Sequence, residues 1–184
     1  GGATMTRKKK IIILLSAAVG VLLVALLIWL MCLPGIRGYR EMAVEFYDAH
    51  RMELQAAQLA LQDDIGAGKN PVWIDTVEEL GSDYQNDGVT VRRYHDLYII
   101  SKEEYPEATY QMIYEVAQPL FHEGLSGISV SSYQIQFCVK SSPSMGREAS
   151  LVWSDGTHEP SGSYPTVLEK QQLDTHWFAL VVSD

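Results

Sequence analysis

The sequence predicts an α+β fold: a single N-terminal transmembrane helix, then a helix packed on an antiparallel sheet of about 3-5 strands, with a second helix. Three observations point there. Residues Ile11 to Leu33 form a run without one charged side chain. Apolar residues then recur at helical spacing from Tyr39 to Ile65, and the last third alternates apolar with polar residues as strands do. A helix-rich half followed by clustered strands places helices on one face of an antiparallel sheet.

The first element is the uncharged run. At about 1.5 Å per residue it reaches roughly 34 Å, enough for a hydrocarbon core of about 30 Å. Its exit, Trp29-Leu30-Met31-Cys32, offers no small residues to a signal peptidase, so the run reads as an uncleaved signal anchor over 11–33. Met31 is also too large to precede a lipidated Cys32. Arg7, Lys8, Lys9 and Lys10 flank one side only, which predicts a cytoplasmic basic tail over 1–10 and the body outside. Gly1-Gly2-Ala3-Thr4 precede Met5, which reads as the start. The expected localisation is the plasma membrane, single-pass, with the lipid bilayer as partner of residues 11–33.

Pro34-Gly35 break the run, and an amphipathic juxtamembrane helix is expected over 36–65. Tyr39, Ala43, Phe46, His50, Leu54, Ala57, Leu61 and Ile65 form its stripe, with a period of eleven residues or about 3.67 per turn. Such a stripe stays nearly straight on a helix. It suits packing on the protein's own sheet, or homo-oligomerisation through residues 39–65. Gly66-Ala67-Gly68 end the helix and open an extracytoplasmic α+β domain over 66–184. There Asn70-Pro71 begin a connection and Asp75 a short helical turn through Leu80. Val89–Val91 and Leu97–Ile100 read as one bulged strand or two short ones.

Ser101 with Glu104 has capping-box spacing, so the second helix is expected to start there, with Pro106 near its first turn. Tyr105, Thr109, Met112, Val116 and Leu120 mark its apolar face, Pro119 its kink or end, and Gly124 its C-terminal cap. Tyr133 to Lys140 alternates, the mark of a strand with one wet face. Ser150–Ser154 is a strand before an Asp155-Gly156 turn, 157–165 a Pro/Ser/Gly-rich loop, and Trp177–Val182 an interior strand.

The chemistry in the sequence is sparse. After Pro34 there are 10 basic and 23 acidic residues, a balance that repels phosphate, so no nucleic acid is expected as partner. The five histidines form no close helical pair. His158 and His176, with Glu159 or Asp174 beside them, are the best approach to a metal site, yet zinc wants three or four ligands. No metal, no cofactor and no catalytic residue is therefore assigned. Gly124-Leu125-Ser126-Gly127 lacks the spacing of a nucleophile elbow and follows a helix rather than a strand. Cys138 is the only cysteine after the apolar run, so no disulfide is expected within the body.

Ten tyrosines and four tryptophans remain as the recognition signal. Trp73, Tyr84, Tyr94 and Tyr164 fall in expected loops or strand edges, where aromatics supply contact area at small entropic cost. With His158 and His176 they are the candidate binding residues. The function expected is a membrane-anchored, non-enzymatic binding module of the cell envelope with an envelope protein as partner. An enzyme with an unrecognised site is one alternative. A second comes from the order of elements over Arg7 to Val139, an apolar helix running into an amphipathic one, a connector and an antiparallel sheet. That layout resembles type IV pilin-like proteins and implies a subunit of a helical assembly. The run Lys10-Ile11-Ile12-Ile13-Leu14-Leu15 departs from the family, lacking its Gly-aromatic junction and its glutamate, and Pro34-Gly35 interrupts the helix.

Overall fold

The computed structural model describes residues 16, 18–27, 35–63, 71–76, 90–102 and 105–184. The chain divides into two compact units, Gly1–Gly35 and Ile36–Asp184. In the first, residues 18–27 are helical and each is exposed. The second is an α+β domain built on one sheet.

The membrane expectation is corrected here. Among the described residues no helix is long and apolar enough to cross a membrane. Residues 11–15, 17 and 28–33 of the apolar run lie outside the described residues, as does the basic tail 1–10. The transmembrane helix, the signal anchor, the single-pass membrane class and the plasma-membrane localisation built on them do not stand.

In the second unit the amphipathic stripe makes two helices, α1 (Ile36–Ala49) and α2 (Arg51–Leu61), broken at His50. The ladder survives the break: His50 N–H donates to Phe46 O at 3.0 Å and Leu54 N–H to His50 O at 2.9 Å. The stripe therefore stays continuous, and Tyr39, Ala43, Leu54, Ala57 and Leu61 are all buried in the domain's own core. Ile65 lies outside the described residues.

Asp75 and Thr76, expected to open a short helical turn, end a strand, β1 (Val72–Thr76), and the rest of the expected turn lies outside the described residues. The hairpin β2 (Thr90–Tyr94) and β3 (Leu97–Ser101) follows. Its two-residue loop puts His95 at φ +51°, left-handed backbone that histidine tolerates better than most non-glycine residues. The second helix, α3 (Glu107–His122), starts after Pro106. Ser101 belongs to β3 rather than to a capping box, and Glu104 lies outside the described residues. The buried face of α3 is Tyr110, Ile113, Ala117 and Leu120, one step round from the face expected. Gly124, at φ +101°, closes it as a Schellman cap, with Gly124 N–H on Phe121 O and Leu125 N–H on Leu120 O, both 3.0 Å.

Five strands complete the fold: β4 (Gly127–Val130), β5 (Gln134–Ser142), β6 (Arg147–Ser154), β7 (Thr166–Gln172) and β8 (Trp177–Ser183). The sheet thus has eight strands rather than 3-5, in the order β2-β3-β1-β4-β5-β6-β8-β7. Every neighbouring pair is antiparallel. Among the described residues the chain is α+β with this sheet and four helices, counting residues 18–27.

Strand alternation gives the sheet two faces. Val72, Ile74, Ile128, Phe137, Leu151 and Ala179 point to the helices and share one core with Tyr39, Leu54, Ile113 and Leu120. The opposite face carries a row of cross-strand neighbours, Trp73, Ser129, Gln136, Val152 and Phe178. Part of that face is apolar: Val152, Leu180 and Val182 are buried with Tyr164 and Phe178 against them. The 155–165 loop approaches closely here, because a side chain on Gly162 would stand 2.5 Å from Val182 Cγ1.

Candidate functional site

The second face of the sheet holds a cleft of about 550 Å³, lined among others by Trp73, Asp75, Ser126, Lys140, Ser141 and Glu148. Its construction follows from strand geometry. Val72 and Ile74 turn to the helices, so Trp73 and Asp75 stand on the other side. Next to them lies Gly127, which leaves bare backbone for the indole: a Cβ there would be 2.5 Å from Trp73 Cζ2. Asp75 holds the ring from its edge, accepting from Trp73 Nε1–H at 3.0 Å through Oδ2 and from Thr76 N–H at 2.7 Å through Oδ1. Asp75 is only 7% exposed.

The floor is Cys138, paired with Gly127 across β4 and β5. Ser126 Oγ donates to Cys138 O at 3.0 Å and lies 3.0 Å from its Sγ. A bulge between Cys138 and Lys140 then shifts the register of β5, pairing Lys140 with Ala149 and bringing Ser141 to the rim opposite Glu148.

Glu148 is the most unusual group here. It is 4% exposed, and its Oε1 accepts from Gln136 Nε2 at 2.6 Å and from Ser150 Oγ. Among the described residues no hydrogen bond reaches its Oε2, and neither Glu148 nor Asp75 has a cationic partner. Burying a carboxylate is costly unless donors or a cation compensate it, and here only neutral donors do.

The same face corrects one sequence expectation. Gln134 and Gln136, expected on a wet face, are 8% and 3% exposed. Gln134 pairs its amide with Ser161 of the loop, Nε2–H to O at 3.0 Å and Ser161 N–H to Oε1 at 3.1 Å. Gln136 Nε2 also donates to Ser163 Oγ at 3.0 Å. These amides peg the 155–165 loop onto the sheet beside the cleft.

The other candidate residues are placed as follows. Tyr94 is half-buried, stacks on Tyr110 with centroids 6.2 Å apart and donates to Gln111 Oε1. Tyr164 covers the small apolar cluster on the second face. Tyr84 lies outside the described residues. His158 and His176 do come to one loop end, about Ser154 and Asp155. His158 lies against the Tyr133 ring at 4.4 Å, and His176 Nδ1 is 2.9 Å from Ser154 O. The Asp155 carboxyl is held below its ordinary range by the Thr157 hydroxyl and backbone N–H, with the two histidines adding to it.

No group of three or more metal-ligating side chains forms among the described residues. The acids expected to join the histidines are engaged elsewhere, Glu159 with Lys170 and Asp174 with Arg51 at 2.6 Å. Of the described candidates from sequence, only Trp73 lines the cleft. Asp75, Ser126, Lys140, Ser141 and Glu148 were hidden because they come from separate strands joined only by the register. Glu148 stands beside Arg147 and two residues before Ser150 in a strand that mixes polar and apolar residues, so no local signal marked it.

Two smaller cavities accompany it. One of about 470 Å³ lies at the β2–β3 hairpin, between His95 and His122; another of about 330 Å³ lies between α2 and the β7–β8 turn. The chain matches no family model, no curated protein and no solved structure.

Proposed function

We propose that this chain is a non-enzymatic binding module whose working surface is the cleft on the second face of the sheet. The observation that supports it is the Trp73 indole, laid on Gly127 and held by Asp75 beside the cleft that Ser126, Ser141 and Glu148 also line. An aromatic ring fixed from below and at its edge offers a flat apolar contact already ordered before a ligand arrives. The surrounding polar groups suit orientation more than reaction. Ser126 is donated to backbone, Asp75 is filled by its two donors, and no histidine lines the cleft to serve as base.

The test is a fragment library titrated into the full, isotopically labelled chain and followed by amide and indole N–H shifts. Hits are expected to move the Trp73 indole N–H together with the Ser126 and Ser141 amides, and Trp73→Ala is expected to abolish them. Hits that leave these three signals unmoved would overturn the reading.

A further inference from the structure

We infer that the ligand of this cleft is a primary amine on a compact apolar body, a monocation of the arylalkylamine kind. The inference rests on the binding-module reading and names the ligand class of that same site. Three charged side chains line the cleft, Asp75, Lys140 and Glu148, and two of them do not call for a ligand. Both Asp75 oxygens are taken, by Trp73 Nε1–H and by Thr76 N–H. Lys140 pairs with Ala149 of the helix-facing core and is exposed to water, so it does not stand over Glu148.

Glu148 is left. It is 4% exposed, and its Oε1 accepts from Gln136 and Ser150, both neutral donors. No hydrogen bond or ion pair reaches Oε2 among the described residues. This oxygen is not one of the sealed, unpartnered atoms, and its residue lines the cleft, so it is open to a ligand. A carboxylate so deep, with neutral donors on one oxygen only, bears a desolvation cost that a cationic N–H donor offsets.

The register shows what lies beside that cation. Gly127, Cys138 and Ser150 are consecutive partners across β4, β5 and β6. The Trp73 indole rests on the first, and the Glu148 carboxylate accepts from the hydroxyl of the last. Two strand spacings, about 10 Å, separate these ends. Cys138 floors the interval, its Sγ engaged by Ser126 Oγ at 3.0 Å. An aromatic wall and a thiol floor, ending in one open carboxylate, fit a single ring or short chain that ends in one ammonium. Ser141, the cross-strand partner of Glu148, lines the same end and offers a hydroxyl to a second ammonium hydrogen. The acidic balance of the body, 23 acids against 10 bases, draws in a cation.

Calorimetry on the full chain tests this, with phenethylamine as probe. Phenethyl alcohol, hydrocinnamate and trimethylphenethylammonium are the comparisons. The amine is expected to bind at millimolar concentration or below, and the alcohol and the carboxylate roughly tenfold more weakly or worse. The trimethylated cation keeps the charge but has no N–H, and should also lose about tenfold. In labelled protein the amine should shift the Gln136 side-chain amide, which shares Glu148, together with the Trp73 indole N–H. Glu148→Gln should bring the amine down to the level of the alcohol. The comparison of probes needs no variant, so a misfolded one does not decide the matter. Alcohol or carboxylate as tight as the amine, or amine binding that survives in folded Glu148→Gln, would overturn the inference. A trimethylated probe as tight as the amine would overturn the recognition of a primary ammonium. If no probe binds while fragments still move the Trp73 indole, the ligand class is wrong and the binding module stands. If neither reaches the cleft, both fall.

Discussion

Trp73 lies on Gly127 so closely that the smallest side chain there would stand 2.5 Å from its Cζ2. The indole and the glycine therefore form one unit, with Asp75 as its clasp. Gly127→Ala should displace the ring and cost about 1–3 kcal/mol, the range for forcing an extra methyl into a packed site. Urea denaturation measures the cost, and the Trp73 indole N–H shift reports the displacement. An unmoved shift would mean that the ring was never seated there.

Gln136 serves Glu148, Ser150 and Ser163 from one amide, all within 3.0 Å. Gln136→Ala leaves the buried Glu148 with Ser150 alone and unties the loop. The expected loss is about 1–3 kcal/mol, the penalty for a buried acceptor left short of donors. Amide exchange should quicken at Ser161 and Ser163 before it does in the strands. Uniform quickening would place the effect in the core instead.

Tyr47 carries a buried hydroxyl with no hydrogen-bond partner among the described residues, while its ring packs on Trp177 at 5.4 Å and faces the Arg51 guanidinium. Tyr47→Phe keeps the ring and removes the orphaned group. Stability should stay level or rise by up to about 1 kcal/mol, against the usual direction for a core substitution. A melting temperature lowered by several degrees would contradict this.

Asp174 is held below its ordinary carboxyl range first by the Thr175 backbone N–H at 2.7 Å and then by Arg51. With the folded-state value depressed, its contribution is full above about pH 4, where the unfolded chain's aspartate ionises, and is lost as pH falls through the lower folded value. A carboxyl-carbon titration should show the depressed midpoint. Arg51→Ala should bring it only part of the way back, since the larger cause remains. Complete return would give the leading role to the guanidinium.

What the sequence discloses, and what it conceals, divides along the range of the interactions. The stripe from Tyr39 to Leu61, the alternation of β5 and the cap at Gly124 depend on neighbours within a few residues, and they are legible. β1 is not, because five residues ending in Asp75-Thr76 show no period and owe their strand state to β3 and β4 on either side. β7 escapes for the opposite reason: an edge strand with mostly exposed side chains has no face to encode. Gln134 and Gln136 mimic solvent-facing residues because what covers them, the 155–165 loop, lies some 27 residues away in the chain. The cleft is the extreme case, with Asp75 and Glu148 brought to one cavity by a sheet order that no local pattern records.

That order also bears on how the protein is made. β8 lies between β6 and β7, so one ladder of each waits for residues 177–183. On the ribosome β6 emerges with one side unsatisfied, and β7 follows with no neighbour at all. The sheet closes only by inserting its latest-made strand into a gap. A nascent chain stalled before Trp177 would present two open, sticky edges, and is the form in which this protein would depend most on a chaperone.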